Sequence, residues 1–163
     1  MSEANKAILR RHFDEVLNQG KLDVVDEIYG DHYVLDAPVQ TDGSASAHGQ
    51  TLGRDGLKRR VTLFRTGFPD IHFTVDNILA EGDTVAVQYT FAGTHTGQFL
   101  ELEPSGQHIS VMGMLIASVV DDRIQSANSV FDNGEMMKQL AIIHNVPPEH
   151  LLAHMLRVLS HRL

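Results

Sequence analysis

The chain has no cysteine, which removes disulfide frameworks, thiol nucleophiles, iron–sulfur clusters and thiolate zinc sites together. Basic charge is scarce: 13 lysines and arginines face 21 aspartates and glutamates, a net charge of −8 with histidine neutral. Such a surface repels phosphate backbones and anionic lipid, so neither nucleic acid nor a membrane is an expected partner. No apolar run approaches a membrane-spanning length, and the opening residues Met1 to Val16 lack the apolar core and cleavage site of a signal peptide. A cytoplasmic protein is therefore expected. Missing too are a Gly-x-Ser-x-Gly elbow, a phosphate-cradling loop ending in lysine, and a dinucleotide fingerprint, so no cofactor is expected. What remains is 163 residues, 42% apolar and 21% charged, enough for one core and too short for two.

Periodicity organises the chain. Ile8, Leu9, Phe13, Val16 and Leu17 recur at helical steps, and Leu22 to Tyr29 suggests a short second helix closing at Gly30. His32 to Pro38 reads as a strand, Thr41 to Gly49 as a loop suited to a mobile lid, and Arg54 to Phe68 as a third helix. The period then changes to two. Ile71 to Val75 and Val85 to Phe91 flank a Glu81-Gly82-Asp83 turn as paired antiparallel strands. A long strand from Ile109 to Val120, apolar on both faces, and a last strand from Arg123 to Phe131 complete a sheet of about five strands. One face of the long strand is expected to meet helices or a pocket and the other a second subunit, giving a homodimer or higher homo-oligomer. Helices from Glu135 to Ile143 and from His150 to His161 follow. The domain is expected to span residues 1–145, with 146–163 as an appended amphipathic helix, in an α+β architecture whose curled sheet encloses a cavity.

Ten histidines invite a metal reading. His150 and His154 have ligand spacing on one helical face, but the glutamate precedes the first histidine and no third ligand can be named, so no metal is expected. The chemistry left to carboxylate, imidazole, amide and phenol groups in an apolar pocket is proton transfer, enolisation and ring closure or opening.

The segments Gly67-Phe-Pro-Asp-Ile-His-Phe-Thr-Val, Ala80-Glu-Gly-Asp-Thr-Val-Ala-Val, Gly93-Thr-His-Thr-Gly-Gln-Phe, Pro104-Ser-Gly, Asp121-Asp-Arg-Ile and Phe131-Asp-Asn-Gly-Glu-Met-Met-Lys-Gln-Leu together resemble the SnoaL-like polyketide cyclase and ester cyclase family. The resemblance runs from about residue 5 to about residue 142. It implies the cone-shaped fold of the nuclear transport factor 2-like superfamily, a strongly curved antiparallel sheet wrapped around helices. It also implies a cofactor-free intramolecular aldol closure of a polyketide-like substrate, with an aspartate as acid and base. That aspartate falls on Asp132, which without the resemblance reads rather as the cap of the following helix. His95 is a candidate proton donor or a hydrogen-bonded turn residue, and Asp36 a second acid.

By strand alternation Ser126 and Asn128 share a face with Asp132 and are expected to line the substrate surface or to be solvated. Tyr33 and Tyr89 are candidate pocket hydroxyls or core residues. Phe91 and Met114 are expected to contribute to an apolar pocket for a hydrophobic small molecule. Two other functions fit the same residues. One is a non-catalytic binding module, and the other is a hydroxylase, dehydratase or epoxide-opening relative in which Asp36 and Asp132 would bracket one water.

Overall fold

Four strands of the sheet follow directly from apolar alternation, and tight turns at Gly82-Asp83 and Asp121-Asp122 join two of their pairs. The structure is a computed structural model, and it describes residues 2–36, 53–100 and 102–140. The chain opens with helix α1 (Ser2–Arg11), which continues into a wider π-wound segment (His12–Asn18). Short α2 (Val24–Ile28) leads into β1 (Tyr29–Asp36). Helix α3 (Arg54–Gly67) precedes β2 (His72–Glu81), β3 (Thr84–Thr94), β4 (His108–Val120) and β5 (Arg123–Phe131), and α4 (Asn133–Gln139) follows. The α+β architecture is the one expected. The lid at Thr41–Gly49, the 146–163 helix and the His150/His154 pair lie outside the described residues.

The strands are ordered β1-β5-β4-β3-β2. Three pairings are antiparallel and β1 joins β5 in parallel, so the sheet is mostly antiparallel with one parallel edge. β1 is not tied to a hairpin neighbour: the chain leaves it, passes through α3, and re-enters the sheet at the opposite edge with β2. Nothing local therefore dictates its direction. Register breaks at Val75/Asn77 in β2 and Ser118/Val119 in β4 each oppose one extra residue, Asp76 or Gln125, to the neighbouring strand. Such bulges bend and twist a strand, and here they help curl the sheet over the helices.

The helices fill the concave face. Leu9, Phe13 and Val16 from the first helix and Leu57, Val61 and Phe64 from α3 meet Val87, Phe91 and Val111 in one core. The π segment is fastened to the sheet edge by Asn18, whose side chain donates to the Phe73 carbonyl at 2.9 Å and accepts from the Phe73 amide at 2.7 Å. The convex face is different. Met112, Met114, Ile116 and Val130 stand on it, with Met114 49% and Ile116 52% exposed.

Candidate active site

Between the first helix, α3 and the concave sheet lies a mostly aromatic cavity with about 70 Å³ of free space. Phe13, Phe64, Phe73, Phe91, Leu115 and Phe131 supply most of its wall, and a few polar side chains interrupt it. His12 sits at the start of the π segment, a helix form that recurs at functional sites. Its Nδ1 is 2.6 Å from the Tyr29 hydroxyl, which leaves Nε2 as the nitrogen for a cavity ligand. Full burial pushes its pKa from 6.5 down to about 4, so the imidazole is neutral at physiological pH.

On the sheet side the Tyr89 hydroxyl and Ser129 Oγ are 3.0 Å apart, and both residues line the cavity. Burial raises the Tyr89 phenol, against the smaller opposing pull of Ser129 and the Arg60 charge. Tyr33 is likewise raised by burial and lies within reach of the same charge. Both phenols stay protonated and can donate. Arg60, on α3, is half-buried in the wall and carries its guanidinium carbon 5.3 Å from the centre of the Phe64 ring. Arg65 also lines the cavity, but its guanidinium donates to the Leu17 and Asn18 carbonyls and so closes the π segment.

The residues expected from sequence divide between this cavity and other places. Tyr33, Tyr89 and Phe91 line it. Ser126 and Asn128 do not share the cavity face, because the Gln125 bulge shifts the alternation: Ala127 and Ser129 turn inward, while Asn128 and Val130 turn outward. Met114 stands on the convex face, so it is not a cavity residue. Asp132 is exposed, and its Oδ1 accepts the Glu135 backbone N–H at 2.8 Å, the capping arrangement that sequence left open. It follows directly on the cavity residue Phe131.

His95 is only 1% exposed and lies apart from the cavity. It stacks on Phe68 at 5.2 Å, and its Nδ1 accepts the Ser105 N–H at 3.2 Å. That bond places the proton on Nε2, which has no partner among the described residues. Desolvation lowers its pKa, and the neutral ring pins the loop from His95 to Ser105. Asp36 is paired in register with Asn128.

Sequence reasoning passed over His12, Arg60 and Ser129. The first two carried a signal. His12 lies three residues after Leu9 and four before Val16, and Arg60 three after Leu57 and four before Phe64, so both fall within buried helical stripes. Ser129 carried none, because its inward turn depends on the bulge.

A family model described as SnoaL-like polyketide cyclase matches residues 7–140. Among solved structures, IdmH from Streptomyces antibioticus, a proposed polyketide cyclase, is 28% identical with a TM-score of 0.73 over 84% of this chain and 98% of its own. A proposed polyketide cyclase from Acidithiobacillus ferrooxidans is 25% identical with a TM-score of 0.74, over 86% of this chain and 96% of its own. AclR from Streptomyces galilaeus, a proposed hydroxylase, is 21% identical with a TM-score of 0.73 over 94% and 95% of the two chains, a likeness of fold alone. No curated protein matches the sequence.

Proposed function

Since the chain belongs to the SnoaL-like polyketide cyclase family, we infer that its cavity enolises a carbonyl compound and closes or isomerises it by acid–base chemistry. The observation that carries this reading is the Tyr89–Ser129 hydroxyl pair, with neutral His12 also in the wall of an aromatic cavity. Donors fixed in a desolvated site stabilise an oxyanion far better than water does, because they need no reorganisation as charge develops. In the scheme, a base removes the α-proton and the enolate oxygen is held by the hydroxyl pair. The enolate carbon forms the new C–C bond with a second carbonyl, whose oxygen takes the proton back from the base. The scheme needs no metal or organic cofactor.

We assign the proton to Asp132, one residue beyond Phe131, through Oδ2, because Oδ1 is engaged by the helix cap. His95, stacked beneath Phe68 and outside the cavity, is given no part in the chemistry. The uncharged convex patch of Met112, Met114, Ile116 and Val130 supports the homodimer reading.

A second reading is favoured by one specific observation: no carboxylate lines the cavity among the described residues. A non-catalytic binding module would have just such a wall. The two are separated by deuterium uptake from heavy water at the α-carbon of a panel of aryl ketones, β-keto acids and β-keto esters, followed by mass spectrometry. Catalysis accelerates uptake over buffer, and Tyr89→Phe lowers the rate by about a hundredfold, the usual effect of losing one oxyanion donor. Uptake at the buffer rate with every compound overturns the enzymatic reading and leaves the binding one.

A further inference from the structure

The first helix brings one polar ring into the cavity wall. His12 falls within the buried stripe of Leu9, Phe13 and Val16, and Phe13 packs edge-on against it with 4.9 Å between ring centres. Its tautomer is fixed by Tyr29. That phenol is buried outside the cavity wall and keeps its proton, because desolvation raises it well above the ordinary range. Its hydroxyl has one partner among the described residues, His12 Nδ1 at 2.6 Å. A hydrogen on Nδ1 would leave the phenol hydrogen buried with no acceptor, the costlier arrangement. Nδ1 therefore accepts, and the imidazole hydrogen sits on Nε2, which has no partner among the described residues.

The cavity thus has donors on two sides, the Tyr89–Ser129 pair on the sheet and the His12 Nε2–H on the first helix. The pair holds the enolate oxygen in the reaction inferred above. Closing the ring creates a second oxyanion, on the carbonyl that is attacked. A neutral imidazole is a competent electrophile for such a carbonyl, and no carboxylate lines this cavity among the described residues to favour the imidazolium. The space is also small. About 70 Å³ holds on the order of five waters, at roughly 10–15 Å³ for each, far below the roughly 300 Å³ at which pockets for drug-sized molecules begin.

We propose that His12 is the second oxyanion donor of this site, and that the substrate is a short, neutral dicarbonyl compound that closes to a single ring. One carbonyl is enolised on the Tyr89–Ser129 pair, and the other accepts the His12 Nε2–H. The enolate carbon bonds to the second carbonyl carbon as that carbonyl's π pair moves to its oxygen. The alkoxide then takes the proton that the base removed, and the imidazole keeps its own hydrogen throughout. The product is an isomer of the substrate, a cyclic β-hydroxy ketone, so no co-reactant is consumed. This deepens the functional reading by naming the substrate class of the same cavity, and it rests on that reading.

The test incubates heptane-2,6-dione in heavy water and follows it by chromatography with mass spectrometry, which reads α-deuteration and ring closure in one sample. Titration calorimetry compares the dione with heptan-2-one, which carries one carbonyl on the same chain. The wild type is expected to close the dione and to bind it at least tenfold more tightly than the monoketone. In His12→Phe, closure falls about a hundredfold relative to deuteration, the usual effect of losing one oxyanion donor, and the binding preference disappears. His12→Gln, which keeps an N–H near the place of Nε2, recovers part of both. In Tyr89→Phe, closure and deuteration fall together. An unchanged ratio in His12→Phe, a ratio lost in Tyr33→Phe instead, or a wild type that binds both ketones equally or binds neither overturns the proposal. The wild-type binding pair decides even if His12→Phe fails to fold. Deuteration without closure by the wild type overturns the proposal and spares enolisation. A dione preference that depends on His12, with no deuteration, sinks the reaction and leaves the Nε2–H as a carbonyl donor.

Discussion

Acid should weaken this protein through His12 in a way that one substitution isolates. The imidazole is buried, and its pKa in the folded chain is about 4 against an ordinary 6.5. The folded value is the lower one, so as pH falls the unfolded chain takes up the proton first. Stability contributed by the neutral ring is whole above about pH 6.5, drains away between there and pH 4, and falls no further below that. The full drop from 6.5 to about 4 is worth about 3 kcal/mol, a large fraction of a typical domain's stability of roughly 5–15 kcal/mol. Urea unfolding followed by circular dichroism at pH 7.5, 6.5, 5.5 and 4.5 measures it. His12→Asn starts less stable, because it loses the bond to Tyr29, but its stability declines less with acid than that of the wild type. The acid losses of exposed carboxylates are common to both proteins and cancel in the difference. Parallel curves for the two proteins would refute the reasoning, since they would mean that His12 titrates alike folded and unfolded.

Other outcomes follow from the same geometry. Gly113→Ala would bring a Cβ within 2.5 Å of the Tyr89 ring; it should cost about 1–3 kcal/mol and slow α-deuteration, read by thermal unfolding and mass spectrometry. Asp132→Ala should lose about 1 kcal/mol with the helix cap while Asp132→Asn keeps it, so lost deuteration in a fully stable Asn variant points to the proton, and a full rate removes Asp132 from the scheme. Met114→Lys combined with Ile116→Lys on the convex face should convert a dimer to a monomer in light scattering with the fold intact; an unchanged mass in solution would place the contact elsewhere or show there is none.

Much of the architecture was legible because β3 and β4 alternate cleanly and the first helix and α3 carry apolar stripes. The direction of β1 was not, since its parallel partner is almost a hundred residues away and no turn connects them. The site was half legible. Tyr33, Tyr89 and Phe91 were visible as apolar bodies with polar tips on strands, and they do line the cavity. Arg60 and His12 were obscured by their chemistry, because a charged or polar side chain in a stripe is easily read as belonging to the opposite face. Ser126 and Asn128 were misplaced for a geometric reason: period two carries a face along a strand only while the count is unbroken, and Gln125 breaks it.

That single residue has an evolutionary meaning. Substitutions alter a cavity one side chain at a time, whereas an inserted residue in a regular strand would turn over every side chain beyond it. The bulge prevents that. Deleting Gln125 would leave Ile124 against Val119 and Ser126 against Ser118, so Ala127 and Ser129 would still face the interior. A lineage with this sheet could thus gain or lose a residue here and keep its cavity lining, while relatives aligned without a gap at that point would be compared on opposite faces. The bulge lets the length of a strand vary without rewriting the interior.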